Sequence, residues 1–192
     1  MTTVFIAGSM NIKHLNEKVK ERIATIVDSG FDVVVGDADG ADASIQEYLW
    51  ELRSSKTTVF SSGAPRNNIG NWPVRVAKTD YAPGSRAFYT AKDKLMAEAA
   101  DFGLMVWDAK STGTLSNVFE LLARKKKIVV FVNKEKLFKT VGTVEQLETL
   151  VSCMSDDAKR KADEKIHLLE QIEALRHRQG EIFAESGGAR YG

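Results

Sequence analysis

The segment 108–115 (DAKSTGTL) combines hydroxyl side chains with a glycine directly before a helical pattern. It follows the apolar run 102–107, so it is predicted to be a strand-to-helix turn. Backbone N–H groups at the start of a helix favour a phosphate or a carboxylate, because the helix dipole and the unpaired donors attract anions. Ser111 or Thr114 can instead simply cap the helix, and the segment taken alone favours that interpretation.

Two other glycine turns follow predicted strands: Gly8-Ser9 follows strand 3–7, and 36–42 (GDADGAD) follows strand 31–35. In an open parallel sheet, ligands bind outside the carboxyl ends of the strands, near the point where strand order reverses. The three turns therefore predict a ligand site at one sheet edge. None of them is a dinucleotide-binding G-x-G-x-x-G or a P-loop. The candidate ligand-binding residues in these turns are Gly8, Ser9, Gly36, Gly40, Ser111, Thr112, Gly113 and Thr114.

Strands that are apolar throughout alternate with amphipathic helices, which is typical of βαβ units in a parallel sheet covered on both faces. The sequence therefore predicts an α/β fold: a Rossmann-like, mostly parallel sheet of about five strands with flanking helices, plus a C-terminal helix. The predicted strands are 3–7, 31–35, 57–61, 102–107 and 128–132. The predicted helices are 16–29, 45–52, 91–100, 115–124, 141–153 and 156–185.

We predict one α/β domain over 1–154, a helical appendage over 155–186 and a flexible tail over 187–192. Residues 63–90 hold all three prolines and several aromatic residues, which predicts a long loop that serves as a lid or binding loop. Its Trp72, Phe88 and Tyr89 can either stack on a base or anchor the loop to the core. The narrow apolar stripe of the appendage suits packing against the domain or pairing between protomers, and we expect a homo-oligomer.

Composition narrows the functional classes. The 192 residues carry a formal net charge of +1, which argues against nucleic acid or an anionic membrane as a partner. No apolar run approaches the roughly 18 residues of a membrane span, and the single cysteine, Cys153, cannot form an internal disulfide, so we expect a cytoplasmic protein. The three histidines are far apart, which argues against a metal site or a Cys/His nucleophile, and no cofactor is predicted.

Four segments in order resemble motifs of the SLOG superfamily: Ala7-Gly8-Ser9, the 36–42 turn, Lys92-Asp93-x-x-Met96 and Ser111-x-Gly113-Thr114. The similarity covers about residues 3–133. The superfamily includes phosphoribohydrolases that activate cytokinins, DNA-processing protein A, and small uncharacterised bacterial and phage proteins. The resemblance implies a Rossmann-like fold that binds a nucleotide or a nucleotide-derived ligand.

Two departures bear on catalysis. Asn117 stands where the hydrolytic members have the glutamate of Gly-Thr-x-x-Glu, and Asp93 stands where they have a base. Their mechanism therefore does not carry over intact. Asn117 is kept as a candidate ligand-binding residue, and Glu120, one helical turn further on, is either a substitute or an exposed helix residue.

A different catalytic arrangement uses Asp93, Asp37 or Asp42 to stabilise or capture an oxocarbenium-like ribosyl centre. Each aspartate also has a structural interpretation: Asp42 can cap the second helix, and Asp93 can orient Arg86 or a backbone amide. Arg86 is the candidate phosphate clamp because its guanidinium binds bidentately, and Lys92 can serve in its place.

Three functions remain open. The first is binding of a nucleotide or nucleotide derivative, with N-glycosidic hydrolysis like that of a nucleotide phosphoribohydrolase as the candidate activity. The second is a non-catalytic nucleotide sensor, which Asn117 favours. The third is a module that processes single-stranded DNA, against which the near-neutral charge counts.

Overall fold

A seven-stranded sheet lies at the centre of the fold, which the computed structural model describes over residues 1–187 and, for side chains, over residues 1–179. Its strands are β1 (Thr3–Gly8), β2 (Asp32–Gly36), β3 (Thr57–Ser61), β4 (Val74–Val76), β5 (Phe102–Trp107), β6 (Lys127–Val132) and β7 (Leu137–Val141). The helices of the described residues are α1 (Glu17–Asp28), α2 (Ala41–Glu51), α3 (Arg86–Ala99), α4 (Thr112–Ala123), α5 (Val144–Val151), α6 (Asp156–Ile166) and α7 (Leu168–Gly187).

The strand order is β4-β3-β2-β1-β5-β6-β7, and only β7 is antiparallel to its neighbour. The order reverses between β1 and β5, which is where an open sheet of this kind has its binding crevice. Successive residues of β1 point to opposite faces: Val4 and Ile6 join a core with α1 and α2, whereas Phe5 joins a core with the other helices. The predicted two-sided, mostly parallel α/β sheet is confirmed.

All five predicted strands are present, and the structure adds β4 and β7 to the expected number. β4 lies inside the 63–90 segment, and its three residues are exposed, so no apolar alternation or burial pattern marked it in the sequence. β7 forms a hairpin with β6 after a short turn in which Lys136 has a φ of 56°. Its mixed sequence, LFKTV, resembles a connection more than a buried strand.

Most helix bounds differ from the prediction by a few residues, and the largest differences are in α3 and in the C-terminal helix. α3 begins at Arg86 rather than near residue 91, because the Ser85 side chain accepts a hydrogen bond from the Phe88 N–H and caps the helix. The predicted single C-terminal helix is divided into α6 and α7 at His167, which adopts a φ of 52°. The Asp163 carboxylate accepts the Leu169 N–H there, so the break is stabilised without glycine or proline.

The C-terminal helices pack against the sheet domain. The apolar stripe residues Ala158, Ala162 and Ile166 are buried in the same core cluster as α3 and α4. The stripe thus packs within the chain, one of the two roles expected for it. Of the predicted tail, only Gly187 is described, as the last residue of α7. None of the described helices has the length and apolar character needed to cross a membrane.

Candidate functional site

Ser9 connects the three glycine turns at the carboxyl edge of the sheet. Its hydroxyl accepts the Asp108 N–H at 3.1 Å and lies 3.2 Å from the Thr114 hydroxyl. Its carbonyl accepts the Ala41 N–H at 3.3 Å, which brings in the start of α2. Because Ser9 is fully buried, it positions the turns without reaching a ligand.

A cavity of about 890 Å³ opens where these turns meet. Its walls come from the turn after β1 and from the first turns of α2, α3 and α4, and one face of α6 completes it. The predicted site residues that line the cavity are Gly8, Asp42, Arg86, Lys92, Asp93, Ser111, Thr112, Gly113, Thr114 and Asn117. The remaining four, Ser9, Gly36, Asp37 and Gly40, do not line it.

The first turn of α4 presents two free backbone donors to the cavity. The N–H groups of Lys110 and Ser111 are occupied, since both donate to the Asp108 carboxylate, at 2.9 and 2.7 Å. The N–H groups of Thr112 and Gly113 have no acceptor among the described residues. A Cβ at Gly113 would lie 3.9 Å from its nearest neighbour, so open space lies above this donor.

Asn117 is the buried polar side chain next to these donors. It lies one turn further along α4, lines the cavity and is only 6% exposed. Its amide makes no hydrogen bond to any side chain or backbone group that the structure describes, and it is not sealed from solvent. Buried polar groups are nearly always paired, so an open amide facing a cavity is suited to contact a ligand.

Lys92 is the centre of a buried charge cluster. Its ammonium lies 2.7 Å from Asp93 and 3.9 Å from Asp37, and Asp42 lies close by. Burial lowers the pKa of Lys92, but the charges of the three aspartates outweigh it, so the net pKa is raised. Gly36 leaves the space for this cluster, because a Cβ there would lie 2.3 Å from the Asp42 carboxylate and 2.7 Å from the Lys92 ammonium.

Asp37 anchors the segment after β3. Its carboxylate accepts the Arg66 guanidinium at 3.0 and 3.2 Å and the Arg66 backbone N–H at 3.1 Å. Burial raises the pKa of Asp37, but the Arg66 hydrogen bonds and the Lys92 charge outweigh it, so the pKa is lowered. The guanidinium also lies over the Tyr89 ring, 4.8 Å from its centre. Asp37 therefore has a structural role in holding this segment, and it does not line the cavity as Asp42 and Asp93 do.

The carboxyl group of Asp42 has a raised pKa. Burial raises the pKa of its carboxyl group from 3.8 to about 6, and the charge of Asp93 adds to this effect. The opposite charge of Lys92 and the backbone N–H groups of Gly8 and Ala38 offset it only in part. A buried carboxyl group that gains its proton near neutral pH, in a cleft, is a candidate for acid–base chemistry.

Asp42→Asn is expected to stabilise the protein above pH 6 and to change little near pH 4. Because the folded state binds this proton more tightly than the unfolded chain, the free energy of unfolding falls as pH rises from about 4 to about 6. Asparagine does not titrate, so the variant does not lose this stability. The loss in the wild type is about 3 kcal/mol, because each unit of difference between the folded and unfolded pKa contributes about 1.4 kcal/mol. Urea unfolding of wild type and Asp42→Asn at pH 4 and pH 8 measures this difference in the free energy of unfolding. Asp39→Asn, at an exposed position, is the control. An equal change at both pH values would contradict the prediction.

Gly40 has a packing role in the 36–42 turn. It precedes α2 with a φ of 76°, and a Cβ there would lie 2.1 Å from the Met10 carbonyl oxygen. Gly8 is likewise enclosed, because its Cβ would lie 2.6 Å from the Val106 carbonyl oxygen and 2.7 Å from the Ala41 Cβ. These glycines let the turns approach one another and so shape the edge on which the cavity forms.

The aromatic residues of the 63–90 segment divide between the two roles considered for them. Trp72 is buried in the core, and its indole N–H donates to the Ser54 carbonyl at 2.7 Å, so it anchors the segment. Phe88 packs edge-on against Tyr89 at 5.4 Å between ring centres. Tyr89 lines the cavity and is 40% exposed. The Arg66 guanidinium lies over one face of its ring, so only the rest of the ring is aromatic surface available to a ligand.

Sequence reasoning missed the contribution of α6 to the cavity. Ser155, Asp157, Ala158, Lys161 and Lys165 all line it. The apolar stripe of α6 indicated which side of the helix is buried but carried no signal for the flanking polar residues. Among the described residues, no group of three or more His, Cys, Asp or Glu side chains is arranged to hold a metal ion.

Comparison with known proteins yields a likeness in three dimensions. No family model matches the chain, and no curated protein sequence matches it either. The structure is similar to that of DNA processing protein A from Helicobacter pylori, which has been described for its single-stranded DNA binding mode. The TM-score is 0.54 at 18% identity, covering 86% of this chain and 80% of that one. The likeness is one of fold. It agrees with the Rossmann-like architecture that the SLOG resemblance implies.

Proposed function

We propose that the chain binds a nucleotide or nucleotide-derived ligand in this cavity, with a phosphate group at the first turn of α4. The observation that carries the proposal is the open amide of Asn117 beside the unpaired N–H groups of Thr112 and Gly113. Donors at a helix N-terminus, next to the positive end of its dipole, form a site for a phosphate. Asn117 adds a side-chain donor that has no other partner among the residues that the structure describes.

The size and the lining of the rest of the cavity favour a nucleotide over a free anion as the ligand. At about 890 Å³ it lies toward the upper end of the roughly 300–1,000 Å³ range of small-molecule sites. The exposed ring of Tyr89 offers a stacking surface for a base. The resemblance to the SLOG superfamily points to the same ligand class. These features together favour an aromatic, phosphorylated ligand.

Isothermal titration of the full chain with nucleoside monophosphates, NAD and inorganic phosphate tests this proposal. We expect nucleotide binding that weakens about tenfold in Asn117→Leu, since a hydrogen bond to a charged group contributes about 1.5–3 kcal/mol. Leucine has nearly the same size and removes no hydrogen bond from the free protein, so stability should not fall. Exposed Lys94→Gln serves as the control. Failure of every nucleotide to bind would refute the proposal.

N-glycosidic hydrolysis is the second candidate, and the unusual acidity of Asp42 favours it. Asp42 can hold a proton near neutral pH, whereas Asp93 lies 2.7 Å from the Lys92 ammonium. Two carboxyl groups in different environments can divide acid and nucleophile roles between them. Asp42 would then protonate the leaving base as its bond to the ribosyl carbon breaks, and Asp93 would stabilise or capture the ribosyl centre. Water then adds to that carbon, and the proton that water loses returns to Asp42.

Chromatography of the same incubations tests hydrolysis separately from binding. Release of free base that disappears in Asp93→Asn would support the enzyme. Binding without release would favour the non-catalytic sensor. A salt-sensitive shift of single-stranded DNA, in the absence of nucleotide binding, would instead favour a DNA-binding role like that described for the Helicobacter pylori protein.

A further inference from the structure

We propose that Arg86 of α3 and Lys165 of α6 form a second anion subsite in the cavity, so that the ligand carries two separate phosphate groups. This inference rests on the proposed function, because it specifies the ligand class of the same cavity. The first phosphate lies at the start of α4, and the second lies where α3 meets α6.

Arg86 and Lys165 meet at the cavity, where α3 contacts α6. An Arg86 guanidinium N–H donates to the Lys165 backbone carbonyl at 3.3 Å, and both residues line the cavity. Neither has a carboxylate within ion-pair distance among the side chains that the structure describes. Two cationic residues without a carboxylate partner at one cavity favour the binding of an anion there.

Two of the other cavity lysines are paired with carboxylates, whereas Lys110, at the start of α4, has no carboxylate within ion-pair distance among the side chains that the structure describes. Lys92 lies 2.7 Å from Asp93, and Lys161 lies 2.8 Å from Asp157. Both are therefore neutralised by the protein itself. Arg86 retains guanidinium donors beyond the one used on α6, and a guanidinium can bind a phosphate bidentately.

The shape of the cavity agrees with a ligand that has two charged ends. The α6 residues that line it extend from Ser155 to Lys165, which at 1.5 Å for each residue is about 15 Å of helix. A single phosphate fills little of this length. A nucleoside 3′,5′-bisphosphate or a 5′-phosphorylated dinucleotide has two phosphate groups separated by one sugar, and it matches an elongated cavity with donors at separate places.

The test compares one-phosphate and two-phosphate probes on the full-length chain. Isothermal titration at low salt is run with AMP, adenosine 3′,5′-bisphosphate and the 5′-phosphorylated dinucleotide pApA. Wild type should bind a two-phosphate probe at least about tenfold more tightly than AMP. Lys165→Gln should weaken binding of the two-phosphate probe about five- to tenfold and should change AMP binding less than about twofold. Arg86→Gln should act in the same direction.

Lys159→Gln is the matched control, since Lys159 lies on the same helix but does not line the cavity. Equal affinity of wild type for AMP and both two-phosphate probes would overturn the subsite while leaving nucleotide binding intact. So would an equal loss for all three probes in Lys165→Gln. If no probe binds wild type, the proposed function itself fails, and this inference fails with it.

Discussion

Replacing Lys92 with methionine is expected to lower the free energy of unfolding by about 3–5 kcal/mol at pH 8 and by much less at pH 5. Lys92 is 4% exposed and is the buried counter-charge for Asp93, Asp37 and Asp42. Methionine keeps most of the side-chain volume but leaves these carboxylates without their central cation. At pH 5 Asp42 is mostly protonated, because its pKa is already about 6 with Lys92 present.

Urea unfolding at the two pH values measures this difference, with Lys94→Met as the control. Lys94 is the exposed neighbour on the same helix, so its substitution should change stability by less than about 0.5 kcal/mol. An equal loss for Lys92→Met at both pH values would attribute the effect to packing rather than charge. No loss at either value would show that Lys92 is not the counter-charge of the cluster.

The strands that were predictable share one property, which is burial on both faces. Val4, Phe5 and Ile6 form a continuous apolar run because β1 has helices on both sides. The edge strands β4 and β7 lack that requirement, since each has a neighbour on one side only. Their residues are therefore free to be polar or exposed, and the sequence gives no periodic signal for them.

Glycine turns were predictable as landmarks, but their roles required coordinates. Gly113 faces open space and is suited to a ligand, whereas Gly36 and Gly40 leave room for side-chain and backbone atoms of the protein. All three precede or begin helices in the sequence, so local pattern does not separate them. The difference depends on which distant residue approaches: Lys92 for Gly36 and Met10 for Gly40.

The site also depends on long-range contacts for its charges. Arg66 follows Pro65 in an irregular segment, and nothing near it in sequence indicates that it binds Asp37, 29 residues away. In the sequence, Lys165 looks like any solvated helix residue, because the neighbouring residues of its helix are also highly charged. Its place at the cavity rim follows from the packing of α6 through Ala158 and Ala162, which also brings it to Arg86.

Because α6 packs against the sheet domain, the proposed ligand would also affect the C-terminal helices. A ligand that contacts both α4 and α6 would stabilise their association by mass action, since it binds the folded arrangement and not the separated elements. The C-terminal helices would then be more protected in the bound state. If the protein is a non-catalytic nucleotide sensor, this coupling would transmit the presence of ligand in the cavity to the C-terminal helices.

Gly113→Asp is expected to weaken phosphate binding at least about 100-fold without lowering stability. A Cβ at this position meets no atom closer than 3.9 Å, and an acidic residue in the first turn of a helix is stabilised by about 0.3–1 kcal/mol. The new carboxylate would occupy the region of the proposed phosphate. Two such charges about 4 Å apart repel by about 4 kcal/mol near a protein surface, which is more than two orders of magnitude in affinity.

Gly113→Asn is the matched control, because it has nearly the same shape without the charge, and we expect it to bind AMP within about tenfold of wild type. Isothermal titration of the three proteins with AMP, together with urea unfolding, separates binding from stability. Wild-type affinity in Gly113→Asp would place the phosphate away from α4. Equal losses in both variants would indicate that bulk, rather than charge, excludes the ligand, and the helix N-terminus would then be only the wall of the cavity.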